Sequence, residues 1–173
     1  MKTGINNKNS GFSMVEVIIV IAIIAVMGSV LTMSVSVLSK KNVNKCAKEM
    51  VSVLERTRVL TLGKAQGDIK CTFKYDAASN SYHALIFRGG STVSDTEIGS
   101  DSITITLTYA DGTQDVLTNL VGNPDDSLNG VSFVYNRSSG AFSSMGCKKI
   151  DVSGSGKTIH ITPIELTGKI LVD

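Results

Sequence analysis

The spacing of apolar positions changes twice along the chain. From Val17 to Leu38 no residue carries a charge. As a helix rising ~1.5 Å per residue, this stretch is ~33 Å long, close to the ~30 Å hydrocarbon core of a bilayer. Ile and Val, which are abundant in it, are mediocre helix formers in water. Lipid enforces helix on them, because backbone groups find no other partner there. The stretch therefore predicts a membrane-spanning helix over about residues 17–38. Val43, Ala47, Met50 and Leu54 then recur at 4-3-4 spacing, with Val51 beside them and Lys45, Lys48, Glu49, Glu55 and Arg56 filling much of the rest. This is an amphipathic continuation of the same helix, with Gly63 as its stop. The two halves together predict one helix over residues 12–62, ~77 Å long. The membrane half holds no Pro, so no kink is expected.

From Ile69 the period becomes two. Strands are expected at Ile69–Tyr75, Tyr82–Arg88, Ile103–Thr108, Asp115–Val121, Val131–Tyr135, Lys148–Val152, Thr158–Thr162 and Lys169–Val172. Asp111-Gly112 marks a hairpin. Asp76–Ser81, Gly89–Ser102, Gly122–Gly130 and Gly154–Gly156 are expected as turns or loops. One long helix followed by about eight short strands predicts an α+β fold. The helix's second half packs against a C-terminal domain over residues 63–173, an antiparallel β-sandwich or curled β-sheet.

Composition narrows the function. The chain has 173 residues, one domain's worth, and 42% are hydrophobic, the excess lying between Phe12 and Leu38. Its net charge of +2 is too weak to hold nucleic acid by bulk charge. Few Pro and a mixed apolar content argue against disorder. Three Cys and two His exclude a multi-ligand zinc module, and no cofactor is expected. Gly154-Ser155-Gly156-Lys157-Thr158 looks like the end of a phosphate-binding loop. Asp151 stands where that loop needs Gly, and a strand rather than a helix follows, so the segment reads as a turn. His83 and His160 fall in strands with no acid or Cys at ligand spacing and read as surface or packing residues. No arrangement of nucleophile and base stands out, which argues against an enzyme.

The most specific signal is at the N-terminus, in the order Lys8-Asn9-Ser10-Gly11-Phe12-Ser13-Met14-Val15-Glu16-Val17. A basic leader ends in Gly, a Phe follows, and Glu16 stands just inside the apolar run. A charge at a membrane helix end is costly and usually functional, although Glu16 could also snorkel to the headgroups. A secretory signal peptide is the competing reading. Its apolar region is usually shorter, roughly 7–15 residues. No clean small-x-small cleavage site follows, despite Ser34, Ser36 and Ser39.

This arrangement resembles the class III signal of type IV prepilins and type II secretion pseudopilins. The resemblance implies cleavage by a prepilin peptidase between Gly11 and Phe12, removing residues 1–11 as a leader. It implies methylation of the new Phe12 amine, with Glu16 as the acidic residue of the mature helix. The amine of Phe12 and the carboxylate of Glu16 would then pair between neighbouring subunits and set their register. The implied location is the inner or cytoplasmic membrane, with the N-terminus cytoplasmic and the β-domain extracytoplasmic. A pilus or pseudopilus, at the cell surface or in the periplasm, is the later state. Implied partners are other pilins and, indirectly, an assembly ATPase and a platform protein. The lysine distribution points the other way. Lys2 and Lys8 precede the apolar run, whereas Lys40, Lys41, Lys45 and Lys48 follow it, which by charge alone keeps the C-terminal side inside.

The ending also resembles H-type pseudopilins and similar minor pilins. It closes through Ile150-Asp151-Val152 and Thr158-Ile159-His160-Ile161 to a Gly168-Lys169-Ile170 strand. In an extracytoplasmic, oxidising compartment Cys71 and Cys147 could pair, whereas Cys46 reads as a buried free thiol. An alternative function is a minor pilin whose β-domain binds DNA or a surface ligand. Lys148, Lys149 and Lys157 would contact phosphates, helped by Arg137 and Lys169 and opposed by Asp151, Glu165 and Asp173. Type IV pilus, type II secretion and competence systems all remain open. A third reading is an anchored or secreted β-domain unrelated to pilins.

Overall fold

The computed structural model describes residues 12–63, 67–120 and 130–173, and of residues 29–40 only the helical backbone. The chain divides into two compact units, Met1–Val37 and Leu38–Asp173. Helix α1 runs from Met14 to Leu62. The Ser13 carbonyl accepts the Val17 N–H at 3.2 Å, which makes Ser13 the capping residue. A hydroxyl is favoured at that position, and Ser13 with Glu16 has the spacing of a capping box.

Among the described side chains of the first unit, α1 has no covered face. Val17, Ile18, Ile19, Val20 and Ile21 point around the full circumference and are each 50–57% exposed. Among the described residues no helix is long and apolar enough to cross a membrane. The described side chains of the apolar stretch end at Gly28. The rest of the expected span, 29–38, lies outside the described side chains.

In the second unit the same helix is amphipathic. Val43, Ala47, Met50 and Leu54 are buried as their spacing predicts, and Cys46 and Val53 join them. Lys41, Lys45, Lys48, Glu55 and Arg56 face solvent. Thr57 and Thr61 are buried, and their hydroxyls donate to the carbonyls of Val53 and Thr57 at 2.7 and 2.8 Å. Each is thus satisfied within the helix. The helix stops at Gly63, whose N–H bonds the Val59 carbonyl at 2.9 Å.

Ten strands follow among the described residues: β1 Ile69–Asp76, β2 Ser81–Arg88, β3 Ser91–Ser100, β4 Thr104–Thr108, β5 Gln114–Val116, β6 Val131–Tyr135, β7 Phe142–Met145, β8 Lys149–Gly154, β9 Lys157–Ile164 and β10 Lys169–Val172. They form two antiparallel five-stranded sheets, ordered β3-β2-β1-β6-β7 and β10-β9-β8-β4-β5. The fold is α+β. Alternation sets the faces. Cys71, Phe73, Phe133 and Tyr135 point inward from the first sheet, and Ile105, Leu107, Ile150, Val152, Ile159 and Ile161 from the second. They join the buried face of α1 in one core. Phe73 and Phe133 meet edge to face with centroids 5.9 Å apart.

Two expectations are corrected, and one strand is added. The stretch Gly89–Ser102, read as loop, holds β3. That strand is polar and at a sheet edge and buries little beyond Ile98, so its sequence lacks an apolar stripe. β7 is a four-residue strand between Gly140 and Gly146 and went unseen for its shortness. The strand expected at Asp115–Val121 is confined to β5 and gives way to a 3₁₀ turn, η1 Leu117–Leu120, which drops Leu117 into the core. Val121 lies outside the described residues. The Asp111-Gly112 turn joins β4 and β5 as expected, with Gly112 at φ 85°.

A single side chain ties the helix to two turns. Arg58 donates from Nε to the Gly140 carbonyl at 3.0 Å and from Nη2 to the Thr167 carbonyl at 2.9 Å. The two turns meet so closely that a Cβ on Gly168 would lie 1.9 Å from the Gly140 oxygen, and Gly168 has φ 63°. Only glycine fits there.

Candidate functional site

The N-terminal signal residues sit at the start of α1. Phe12 precedes the helix and is 82% exposed. Glu16 is the acidic residue of the first turn and is exposed, where the positive end of the helix dipole favours a carboxylate. Gly11, and with it the expected cleavage junction and leader, lies outside the described residues. What the described part presents is a carboxylate in the first helical turn, ahead of a helix segment apolar on every side.

The β-domain residues singled out from sequence do not come together in one site. Lys157 is drawn to the helix, where its Nζ donates to Asn44 Oδ1 at 2.8 Å. Lys149 pairs with Asp151 at 3.0 Å, and Lys148 is exposed beside the β7–β8 connection. Arg137 donates to the Gly67 carbonyl. Gly154–Thr158 is the β8–β9 turn, with Ser155 and Gly156 at φ 47° and 74°, and a strand follows it.

Both histidines lie in strands, and each has a carboxylate partner brought in from a neighbouring strand. His160 Nδ1 lies 2.6 Å from Asp151 Oδ1, and the same carboxylate holds Lys149. Burial alone would raise the Asp151 pKa, but the bonds from His160 and Lys149 outweigh it and hold the carboxyl below its usual range. His83 Nδ1 lies 2.7 Å from Asp95 Oδ1, and its Nε2 lies 2.9 Å from Ser81 Oγ. The order Ser-His-Asp invites a catalytic reading. However, Ser81 is only 4% exposed, and its Oγ also bonds Ser79 Oγ at 2.7 Å. Ser79 in turn donates to Asp76. The hydroxyl is enclosed by its own network, which braces the β1–β2 turn against β3. Neither pair was legible locally, because register rather than sequence distance brings the acids in. Asp151 faces His160 across β8 and β9, and Asp95 reaches His83 across the bulged β2–β3 pair.

Cys46, Cys71 and Cys147 are all free and buried, so the Cys71–Cys147 pair is not formed. Cys71 points into the core from the middle of the first sheet, toward Thr57 of α1, while Cys147 lies beyond β7. Burial pushes all three thiols up to about 12 and leaves them poor nucleophiles.

Residues 6–32 match the prokaryotic N-terminal methylation motif. This part of the chain is a type IV prepilin or pseudopilin-like signal. Proteins carrying the motif are structural, and the signal implies membrane anchorage, processing by a prepilin peptidase and assembly with other pilins. The match covers the beginning of α1 and none of the β-domain. No curated protein and no solved structure matches the chain.

Proposed function

We propose that the chain is a non-catalytic structural subunit, a minor pilin or pseudopilin, of a type IV pilus or type II secretion-like filament. A prepilin peptidase removes Met1–Gly11 and methylates the Phe12 amine. The helix spans the inner or cytoplasmic membrane over about residues 17–38, with its N-terminus in the cytoplasm and the β-domain outside. In the filament the apolar helix packs against other pilin helices. An assembly ATPase, acting through a platform protein, supplies the force.

The observation that carries this reading is the coincidence of the methylation motif at residues 6–32 with a helix segment apolar around its whole circumference. Such a segment is stable only in lipid or inside a bundle of similar helices. The strand ladder ending in Gly168-Lys169-Ile170 favours a minor subunit. In a low-dielectric filament core, Glu16 of an arriving subunit and the Phe12 amine of its neighbour favour each other over two lone ions and fix subunit register.

The test is co-expression of the full chain with a prepilin peptidase, followed by N-terminal sequencing and intact mass. Loss of Met1–Gly11 with one methyl group on Phe12 is the expected result. An intact leader, or cleavage near Ser36–Ser39, overturns the proposal and leaves an anchored or secreted β-domain.

A further inference from the structure

The lysines that follow the apolar run, and that by charge alone oppose the proposed topology, form one stripe. Lys41, Lys45 and Lys48 stand at i, i+4 and i+7 on the second half of α1. That spacing places them on a single helix face. Val43, Ala47, Met50 and Leu54 take the opposite face and are buried. All three lysines are exposed. A fourth ammonium stands beside them, because Lys157 of the β8–β9 turn donates to Asn44 Oδ1 at 2.8 Å. Packing fixes that turn at this level of the helix: a Cβ on Gly154 would lie 3.0 Å from Val43 Cγ2.

Among the described residues, Lys41, Lys45 and Lys48 form no ion pair. Two acids lie at the same level, Glu49 on the helix and Asp101 in the β3–β4 turn, whose Ser102 carbonyl also abuts Gly154. Neither is paired with a lysine. Cations elsewhere in the domain are tied. Lys149 pairs with Asp151, Arg58 and Arg137 donate to backbone carbonyls, and Lys70 lies over the Phe87 ring at 5.5 Å.

The stripe begins where the proposed span ends. Lys41 is three residues past Leu38, which is ~4.5 Å of helix. The headgroup layer is ~5–7 Å thick on each side of the hydrocarbon, so Lys41 falls inside it. Lys45 and Lys48 stand ~10 and ~15 Å past Leu38. Both are within a Debye length, ~8–10 Å, of that layer. Side chains on a helix also lean toward its N-terminus, here toward the apolar run.

We propose that Lys41, Lys45 and Lys48, with Lys157 beside them, bind anionic phospholipid headgroups of the leaflet from which the β-domain emerges. The lysine stems lie along the helix and the ammonium groups reach the phosphates. The partner is a lipid of net negative charge, such as phosphatidylglycerol, rather than a zwitterionic one. The lysines then have a use on the side of the membrane that the charge count disfavours. They can act this way only if the helix is anchored in a bilayer, as in the proposed function.

The test reconstitutes the full chain in mixed phosphatidylcholine–phosphatidylglycerol vesicles. Spin-labelled phosphatidylglycerol or phosphatidylcholine is added, and electron paramagnetic resonance reads the fraction of motionally restricted label. The chain should prefer phosphatidylglycerol by about threefold or more. Salt at about 1 M, where the Debye length is ~3 Å, should weaken that preference. Combined Lys41→Gln, Lys45→Gln and Lys48→Gln should bring it close to unity, whereas arginine at the same three positions should keep it. Lys148→Gln, at the opposite end of β8 from the β8–β9 turn, should leave it unchanged. Lys2 and Lys8 are common to every variant and cancel in the comparison. Denaturant unfolding checks that the β-domain is intact in each. Equal restriction of the two lipids, or a preference that survives the triple glutamine change, overturns the proposal while leaving anchorage standing. Equal restriction would assign the stripe to an acidic surface of a partner subunit. Restriction of neither lipid shows that the chain is not in the bilayer, and overturns the anchorage as well.

Discussion

The two halves of helix α1 have the same backbone and opposite surroundings. Between Phe12 and Met27 large apolar side chains are exposed on every side. Between Val43 and Thr61 one stripe is buried in the β-domain core and the other face is charged. Among the described residues one half leaves its large apolar side chains exposed, and the other packs an apolar stripe into the core. Under the proposed function the difference separates two tasks: the first half would carry assembly, while the second anchors the β-domain core.

Substitutions in each half should therefore fail in different assays. Glu16→Val should leave unfolding of the β-domain unchanged and nearly abolish incorporation into filaments. Breaking a buried ion pair costs about 3–5 kcal/mol, on the order of a hundredfold or more in subunit affinity. Quantitative blotting of sheared filaments, beside denaturant unfolding of the full chain in detergent, reads both effects. Leu54→Ala should do the reverse, destabilising the β-domain by about 2–5 kcal/mol. Ile23→Ala, on the uncovered half, should shift that transition by less than about 0.5 kcal/mol. Equal effects of Leu54→Ala and Ile23→Ala would erase the distinction.

The attachment of the second half can be probed at Arg58. Arg58→Ala leaves the carbonyls of Gly140 and Thr167 without their donor and should cost about 1–3 kcal/mol in the same unfolding assay. Gly168→Ala should cost at least as much, because its Cβ collides with the Gly140 oxygen.

The pH dependence should also belong to the second half. Burial raises the thiol of Cys71 from its ordinary 9.0 to about 12. The unfolded thiol ionises first, so stability present below pH 9 is lost as pH rises from 9.0 to about 12. Cys71→Ala should reduce that slope by about 1.4 kcal/mol per pH unit where the unfolded thiol is ionised and the folded one is not. On the acid side Asp151 is depressed. Its contribution is present above the ordinary carboxyl value and fades as pH falls through the folded value. Lys149 and His160 are 37% and 42% exposed, so solvent screening keeps the loss in Asp151→Asn below about 1 kcal/mol.

The helix, its amphipathic half, its end at Gly63 and the methylation signal were all legible in the sequence. Each is a local pattern: an uncharged run, a 4-3-4 stripe, a terminating glycine and a short ordered motif. Strands with an alternating apolar face, such as β1, β4 and β9, were legible for the same reason. β3 and β7 were not, because an edge strand owes its existence to a neighbour rather than to its own stripe. The tertiary structure alone decided which groups meet across strands. Register set His83 beside Asp95 and His160 beside Asp151, and the turn at Gly140 received both Gly168 and Arg58. Pairing and close approach depend on residues far apart in the chain, and no local spacing encodes them.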